Sequence, residues 1–219
     1  MPFRKNIPSS ASVAFPNGNG RLSAPAALRN LAPIINLVTT VAPKTGQALE
    51  LASGTGQHVV ELASALPKLV WQPTDIDESR IASINAWKDE NKLENLRPPI
   101  LLDAAEKDWA SKFPNQNLIL LINLIHLLSE AETRVIINEI SLALLPGGIL
   151  IIYGPFMRNG ELTSIGDKSF HASLHETDPA LGYKNDAWMI EQFKRAKLAH
   201  IKIEDMPVNN IAFVVMKPF

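Results

Sequence analysis

The sequence contains no cysteine among its 219 residues. That excludes a disulfide framework, a cysteine nucleophile and thiolate-held zinc or iron–sulfur groups, and it agrees with a reducing compartment. Charge of one sign is missing too: 21 Lys and Arg stand against 22 Asp and Glu, a formal net charge of -1. A chain balanced in this way lacks the sequence-independent attraction to phosphate that duplex-binding domains carry, so nucleic acid is not an expected partner. Long apolar runs are scarce. The most apolar one, residues 118–128, is interrupted by Asn123 and His126, and it falls short of the ~20 apolar residues a bilayer span needs. The first residues, MPFRKNIPSSASVAFPNGNG, carry no continuous apolar stretch of the kind a signal peptide requires. The expectation is a cytoplasmic protein with no membrane partner.

What the chain does have is core: 46% hydrophobic residues against 20% charged, enough apolar surface to offset the entropy of ordering. Residues 1–22, rich in Pro, Ser, Asn and Gly, read as an N-terminal arm, and 23–219 as a single domain. From Ser23 a helix is expected, with Ser23 as its cap, Pro25 in its first turn and Pro33 kinking or dividing it. Apolar strands and amphipathic helices then alternate. Strands are expected at 47–51, 69–73, 99–102, 118–122 and 149–153, and helices at 57–66, 77–91, 105–112 and 130–145, the last closed by Pro146-Gly147-Gly148. A helix over 186–198 and two closing strands, 200–205 and 211–216, turn at Asn209-Asn210. Such alternation predicts an α/β fold: a doubly wound, mostly parallel seven-stranded sheet whose C-terminal strand runs antiparallel.

Ligands of such sheets bind beyond the carboxyl ends of the strands. The first strand is followed there by Glu50-Leu51-Ala52-Ser53-Gly54-Thr55-Gly56-Gln57. Gly54 and Gly56 let the chain turn sharply and let a ligand approach backbone N–H groups at a helix N-terminus. A third glycine would complete a dinucleotide fingerprint, but that position is Val59, which weakens a nicotinamide oxidoreductase. A phosphate loop is absent as well. Asp75 lies just past the second strand, where ribose-binding acids sit in such folds, and Asp103 follows the third. Together they point to a nucleoside ligand.

The segment ALELASGTGQHVVELA resembles the first motif of class I S-adenosylmethionine-dependent methyltransferases. More narrowly, the chain resembles the methyltransferase-like protein twenty-six family. The matching segments include SAPAALRNLAPII, LVWQPTDIDE, NLRPPILLDAAEKDW, NLIHLLSEAET, LLPGGILIIYGPFMRNGELTS, FHASLHETDP and EDMPVNN, in order along nearly the whole chain. The resemblance implies that S-adenosylmethionine is the cofactor. Gly54 and Gly56 would then line its methionine part, with Glu50 nearby. Asp75 would hold the ribose hydroxyls, Asp103 and Ala104 the adenine, and Asn123 and His126 would face the transferred methyl group. Ala52 stands where the superfamily has a glycine, and Asn117, where it often has an acid, is expected at the far end of its strand.

His126 is the best candidate base, against a role in packing its loop. His171 and His175, four apart, are candidates for an acceptor pocket, because their segment follows the fifth strand; no metal is expected, since the histidines and nearby acids match no ligand spacing. Tyr153, Arg29 and Asn30 complete the candidate pocket, with a solvated helix face as the alternative for Arg29. His58 is either a packing residue or a cofactor contact. The expected function is methyl transfer to a small-molecule or protein acceptor. A binding or scaffold protein that kept the fold without the chemistry is the alternative. The loop Asn123-Leu124-Ile125-His126 lacks the signature of base methylation. Neither the acceptor atom nor an oligomeric state can be read from the residues.

Overall fold

A computed structural model describes residues 12–219. A two-stranded antiparallel hairpin, β1 (Phe15–Pro16) and β2 (Leu22–Ser23), leads into helix α1 (Pro25–Val41). Strand β3 (Gly46–Leu51), helix α2 (Gln57–Ala65), strand β4 (Leu69–Asp75), helix α3 (Glu78–Asn91) and the short strand β5 (Ile100–Leu101) follow. The second half is built from β6 (Gln116–Ile122), α4 (Glu130–Ala143), β7 (Leu144–Pro155), α5 (Ile165–Thr177), α6 (Asp186–Arg195), β8 (Ala199–Asp205) and β9 (Asn210–Met216). Seven strands form one sheet in the order β5-β4-β3-β6-β7-β9-β8. All pairs from β5 to β7 are parallel, and β9 runs antiparallel between β7 and β8. This is the expected class. No helix among the described residues is long and apolar enough to cross a membrane.

The central strands show why both faces are covered. In β6, Leu118 and Leu120 pack with α1 and α2 residues such as Ile34, Val38 and Val59. Ile119 and Leu121 point the other way, into a core with Ile136 and Ile140 of α4 and Phe193 of α6. A strand buried on both faces reads as a continuous apolar run because each half of its two-residue period has its own core.

Several local expectations are corrected. The arm is tied down at its end, by Arg21 and Leu22. Leu22 N–H donates to Ser83 Oγ (2.8 Å), Trp87 Nε1 donates to Leu22 O (2.9 Å), and the Arg21 guanidinium lies 4.7 Å from the centre of the Trp87 ring. Residues 1–11 lie outside the described residues. Ser23 belongs to β2, so Ala24 stands at the cap of α1. Pro33 neither divides nor ends α1; burial of Ala27, Asn30, Ile34 and Val38 on one stripe offsets the hydrogen bond that a proline removes. The helix expected at 105–112 is only a 3-10 turn at Trp109–Ser111, because Asp108 takes a left-handed conformation before it (φ 70). Finally, α4 ends at Ala143, and Pro146-Gly147-Gly148 form an irregularity inside β7, where the register against β6 jumps from Leu144 to Ile149.

Candidate functional site

The carboxyl ends of β3, β4, β6 and β7 share one edge of the sheet, and most of the sequence-predicted residues gather there. The loop after β3 is drawn onto β4 by Ser53 N–H donating to Thr74 O (2.7 Å) and Thr74 Oγ1 donating to Glu50 O (2.9 Å). Gly54 N–H donates to Asp75 Oδ2 (2.8 Å), and Asp77 N–H donates to Asp75 Oδ1 (3.0 Å). Each Asp75 oxygen thus keeps a lone pair for a further donor. A Cβ added at Gly54 (φ 58) would meet no heavy atom within 4 Å, so the loop opens onto free space. At Gly56 (φ 92) a Cβ would stand 3.1 Å from Ile84 Cα, and only glycine lets α3 approach the loop this closely. Ala52 is also left-handed, at φ 53, where an L side chain is strained.

Burial sets the charge states. Glu50 is 1% exposed and its Oε2 is buried with no hydrogen-bond partner. Burial lifts its carboxyl from 4.5 to about 8, against a lowering hydrogen bond from Ser53 and with a further push from Asp75. Asp75 is raised as well, again by burial, while the N–H groups of Asp77 and Gly54 oppose it. Asp103 follows β5, half-buried, and accepts Ala105 N–H (2.8 Å); the buried Ala104 lies beside it. Asn117, as expected, is at the other end of the sheet, where its Oδ1 accepts Gln47 N–H (2.9 Å).

On the β6–β7 side, Asn123 is left-handed (φ 54), and its N–H donates to Tyr153 O (2.8 Å). The next turn carries His126, 5% exposed, with Nδ1 buried and lacking a partner. Its ring lies 5.6 Å from Phe170 and 6.3 Å from Tyr183. Burial, then the charge of Lys184, lowers it to about 3, so it is neutral. His171 and His175 do share a face of α5, with ring centres 4.3 Å apart. Their contacts run to the segment after α5, where Tyr183 N–H donates to His171 Nδ1 (3.1 Å) and Gly182 packs against both rings. The structure therefore divides the predicted pocket. Asn30, Tyr153 and Asn123 are brought together, whereas His171 and His175 belong to the cover that α5 and residues 181–184 place over His126. Arg29 is exposed. Among the described residues no group of three or more His, Asp or Glu side chains is placed to hold a metal ion.

The sequence reading left out Lys184, whose Nζ donates to Leu128 O (2.6 Å) and Gly182 O (2.8 Å), pinning the cover to the loop after β6. It also missed the link between His58 and Asn30, with Nε2 and Oδ1 2.8 Å apart. Neither carries a local signal, since both depend on contacts between distant segments.

A family model described as "Protein of unknown function (DUF938)" matches residues 21–217. The chain belongs to that family. Among solved structures, an O-methyltransferase family protein from Burkholderia thailandensis is similar over 88% of this chain and 57% of its own, with a TM-score of 0.74 and 17% identity. A putative O-methyltransferase from Nostoc punctiforme matches 85% of this chain and 56% of its own, at a TM-score of 0.73 and 19% identity. Human N-acetylserotonin methyltransferase, solved with S-adenosylmethionine, matches 84% and 53% at a TM-score of 0.68 and 13% identity. The likeness is one of fold: this DUF938 chain has the Rossmann-like sheet of those methyltransferases. It spans a little over half the length of the structures it matches.

Proposed function

We propose that the protein binds S-adenosylmethionine and transfers its methyl group to a small-molecule or protein acceptor in the cytoplasm. The narrower kinship with the methyltransferase-like protein twenty-six family belongs to the same proposal. The observation that carries it is the Asp75 carboxylate tied to the N–H of Gly54 beside the buried Glu50, whose Oε2 has no hydrogen-bond partner. The donor set suits this group: lone pairs on Asp75 for a ribose diol, open space over Gly54, and the unpartnered Glu50 Oε2 for the ammonium group of the tail.

When bound, S-adenosylmethionine would supply an electrophilic methyl group on a sulfonium: a lone pair of the acceptor forms the bond to the methyl carbon as the carbon–sulfur bond breaks and S-adenosylhomocysteine leaves. Asp75 would accept hydrogen bonds from the two ribose hydroxyls, charge-assisted bonds that fix the nucleoside's register. Asp103 would accept from the adenine amino group beside Ala104. Gly54 and Gly56 would leave room for the amino-acid tail, whose ammonium group would favour the ionised form of Glu50. Asn123 and Tyr153 border the transfer point, and the packed walls keep water from it. His126, neutral with an unpartnered Nδ1, is the group placed to take a proton from an acceptor hydroxyl or amine. At about 3 it is a weak base, so it serves in this role only where the acceptor supplies the missing hydrogen bond and α5 gives way.

Calorimetric titration with S-adenosylmethionine and S-adenosylhomocysteine, with NAD as a competitor, tests the reading. Micromolar binding, weakened at least about 30-fold in Asp75→Ala and indifferent to NAD, supports it. Absence of binding by either sulfur nucleoside overturns it in favour of a scaffold that kept only the fold.

A further inference from the structure

Helix α3 carries Arg80, Ser83, Trp87 and Glu90, spaced three and four residues apart so that one side of the helix presents all four. That side holds the arm. Arg80 Nη2 donates to Ser12 O (3.1 Å), Ser83 Oγ accepts Leu22 N–H (2.8 Å), Trp87 Nε1 donates to Leu22 O (2.9 Å), and Glu90 pairs with Arg21. Ser83, and Gln57 at the start of α2, also reach the glycine loop. Ser83 Oγ donates to Thr55 O (2.8 Å), and Gln57 Oε1 accepts both Ala24 N–H (2.7 Å) and the Thr55 hydroxyl (2.9 Å). Thr55 stands between Gly54 and Gly56, and Thr55, Gln57 and Ser83 are all buried.

The direction of these bonds is set by their backbone ends. A backbone N–H only donates and a carbonyl oxygen only accepts, so the single Ser83 hydrogen goes to Thr55 O and a lone pair takes Leu22 N–H. Ala24 N–H likewise requires the oxygen of the Gln57 amide, and the Thr55 hydroxyl fills the second lone pair of that oxygen. A helical serine left to itself turns its hydroxyl back to the carbonyl one turn earlier. Here the arm's N–H, polarising the hydroxyl from behind, favours the outward bond to the loop. The loop therefore hangs from two supports. Its upstream half is held to β4 through Ser53 and Gly54, and its downstream half is held through Thr55 by groups that the arm orients. Both flanking glycines are left-handed and the space over Gly54 is open, so they offer no side chain to brace the loop.

We propose that Ser83 and Gln57 are positioning residues: through Thr55 they couple the end of the arm, residues 21–24, to the shape of the glycine loop. The arm then tightens the nucleoside site, and an occupied site tightens the arm. The coupling of arm to loop stands on the hydrogen bonds; its effect on a nucleoside rests on the methyltransferase reading. Linkage makes the two directions equal in size. A tie that only fastened the arm to α3 would lower stability when broken and leave the loop indifferent.

Residue-resolved amide hydrogen exchange on the full-length protein tests the coupling. It is read at Gly54 and Gly56, whose N–H groups donate to Asp75 Oδ2 (2.8 Å) and Ser53 O (3.1 Å). Leu22→Pro removes the arm's donor and leaves Ser83, Gln57 and Thr55 in place. Exchange at both glycines is expected to quicken about tenfold in Leu22→Pro and in Ser83→Ala. Thr55→Val does the same and Thr55→Ser restores the wild-type rate, a pair that decides the matter even where Leu22→Pro misfolds. Glycine exchange unchanged in these variants, with only the melting temperature lowered, overturns the coupling. Affinity for S-adenosylhomocysteine by calorimetry is expected to fall about 5- to 10-fold in Leu22→Pro and Ser83→Ala. In the wild type, saturating nucleoside is expected to slow exchange at Leu22 and Ala24 by a similar factor. Affinities within about twofold of the wild type, or arm amides that ignore the nucleoside, overturn that half of the proposal. Failure of the nucleoside to bind the wild type defeats the methyltransferase reading, while glycine exchange still decides whether arm and loop are coupled.

Discussion

The two halves of the sheet's upper edge use burial in opposite ways. Around β3 and β4 it raises acids: Glu50 to about 8, and Asp75 above its usual range. Around β6, β7 and the helices over them it lowers bases: His58 to about 4 and His126 to about 3. Burial thus disfavours charge in both halves, but they await different partners. A buried, unpaired acid is relieved by a cation, so the first half is poised for a positively charged ligand. Buried neutral imidazoles form directed hydrogen bonds without a counter-ion, so the second half is poised to orient an acceptor.

The largest expected difference comes from breaking the first half alone. Asp75→Ala removes the acceptor of two backbone N–H groups and of the ribose diol, and costs about 2–3 kcal/mol of nucleoside binding, roughly 30- to 150-fold in affinity by calorimetry. His126→Ala changes that affinity less than about threefold, which separates the halves. Glu50→Gln reverses the usual sign of a site substitution. A group raised from 4.5 to about 8 contributes stability that is complete below 4.5 and is lost as pH rises through 8. Denaturant unfolding should therefore find the variant equal to the wild type near pH 4.5. By pH 8 it should be more stable, by about 1–3 kcal/mol.

The imidazole half has the opposite slope. His58 and His126, lowered from 6.5, contribute stability that is full above 6.5 and falls as pH drops towards about 4 and about 3. Urea midpoints should decline below pH 6.5, and a His58→Gln, His126→Gln double variant should flatten that decline. The smallest effect belongs to the glycine loop. Ala52→Gly relieves a left-handed alanine but gains freedom when unfolded, for a net stabilisation of about 0.5 kcal/mol, visible as a small rise in Tm.

The same contrast explains how much was legible in the sequence. The nucleoside half is local: Glu50, Gly54 and Gly56 lie within seven residues where β3 runs into its loop, and Asp75 and Asp103 were each expected just after the next strands, so residue type and spacing were enough to find them. The apolar runs at 118–122 and 149–153 likewise revealed the sheet. The acceptor half is drawn from α1, α2, β6, β7 and α5. No spacing announces that Asn30 meets His58, or that Phe170 and Tyr183 close over His126, because those contacts exist only once the helices are laid on the sheet. Pro33 and Pro146-Gly147-Gly148 misled for a related reason. Local propensity ended elements that tertiary burial and the β6–β7 register carry through.

The central claim is that a buried, protonated Glu50 waits beside Asp75 for a cationic nucleoside. S-adenosylmethionine binding measured at pH 7 in two buffers of different ionisation enthalpy tests it most directly. The account predicts micromolar binding with release of close to one proton per ligand as Glu50 ionises, and no release in Glu50→Gln. Binding of S-adenosylmethionine without proton release, or no binding at all, would contradict it.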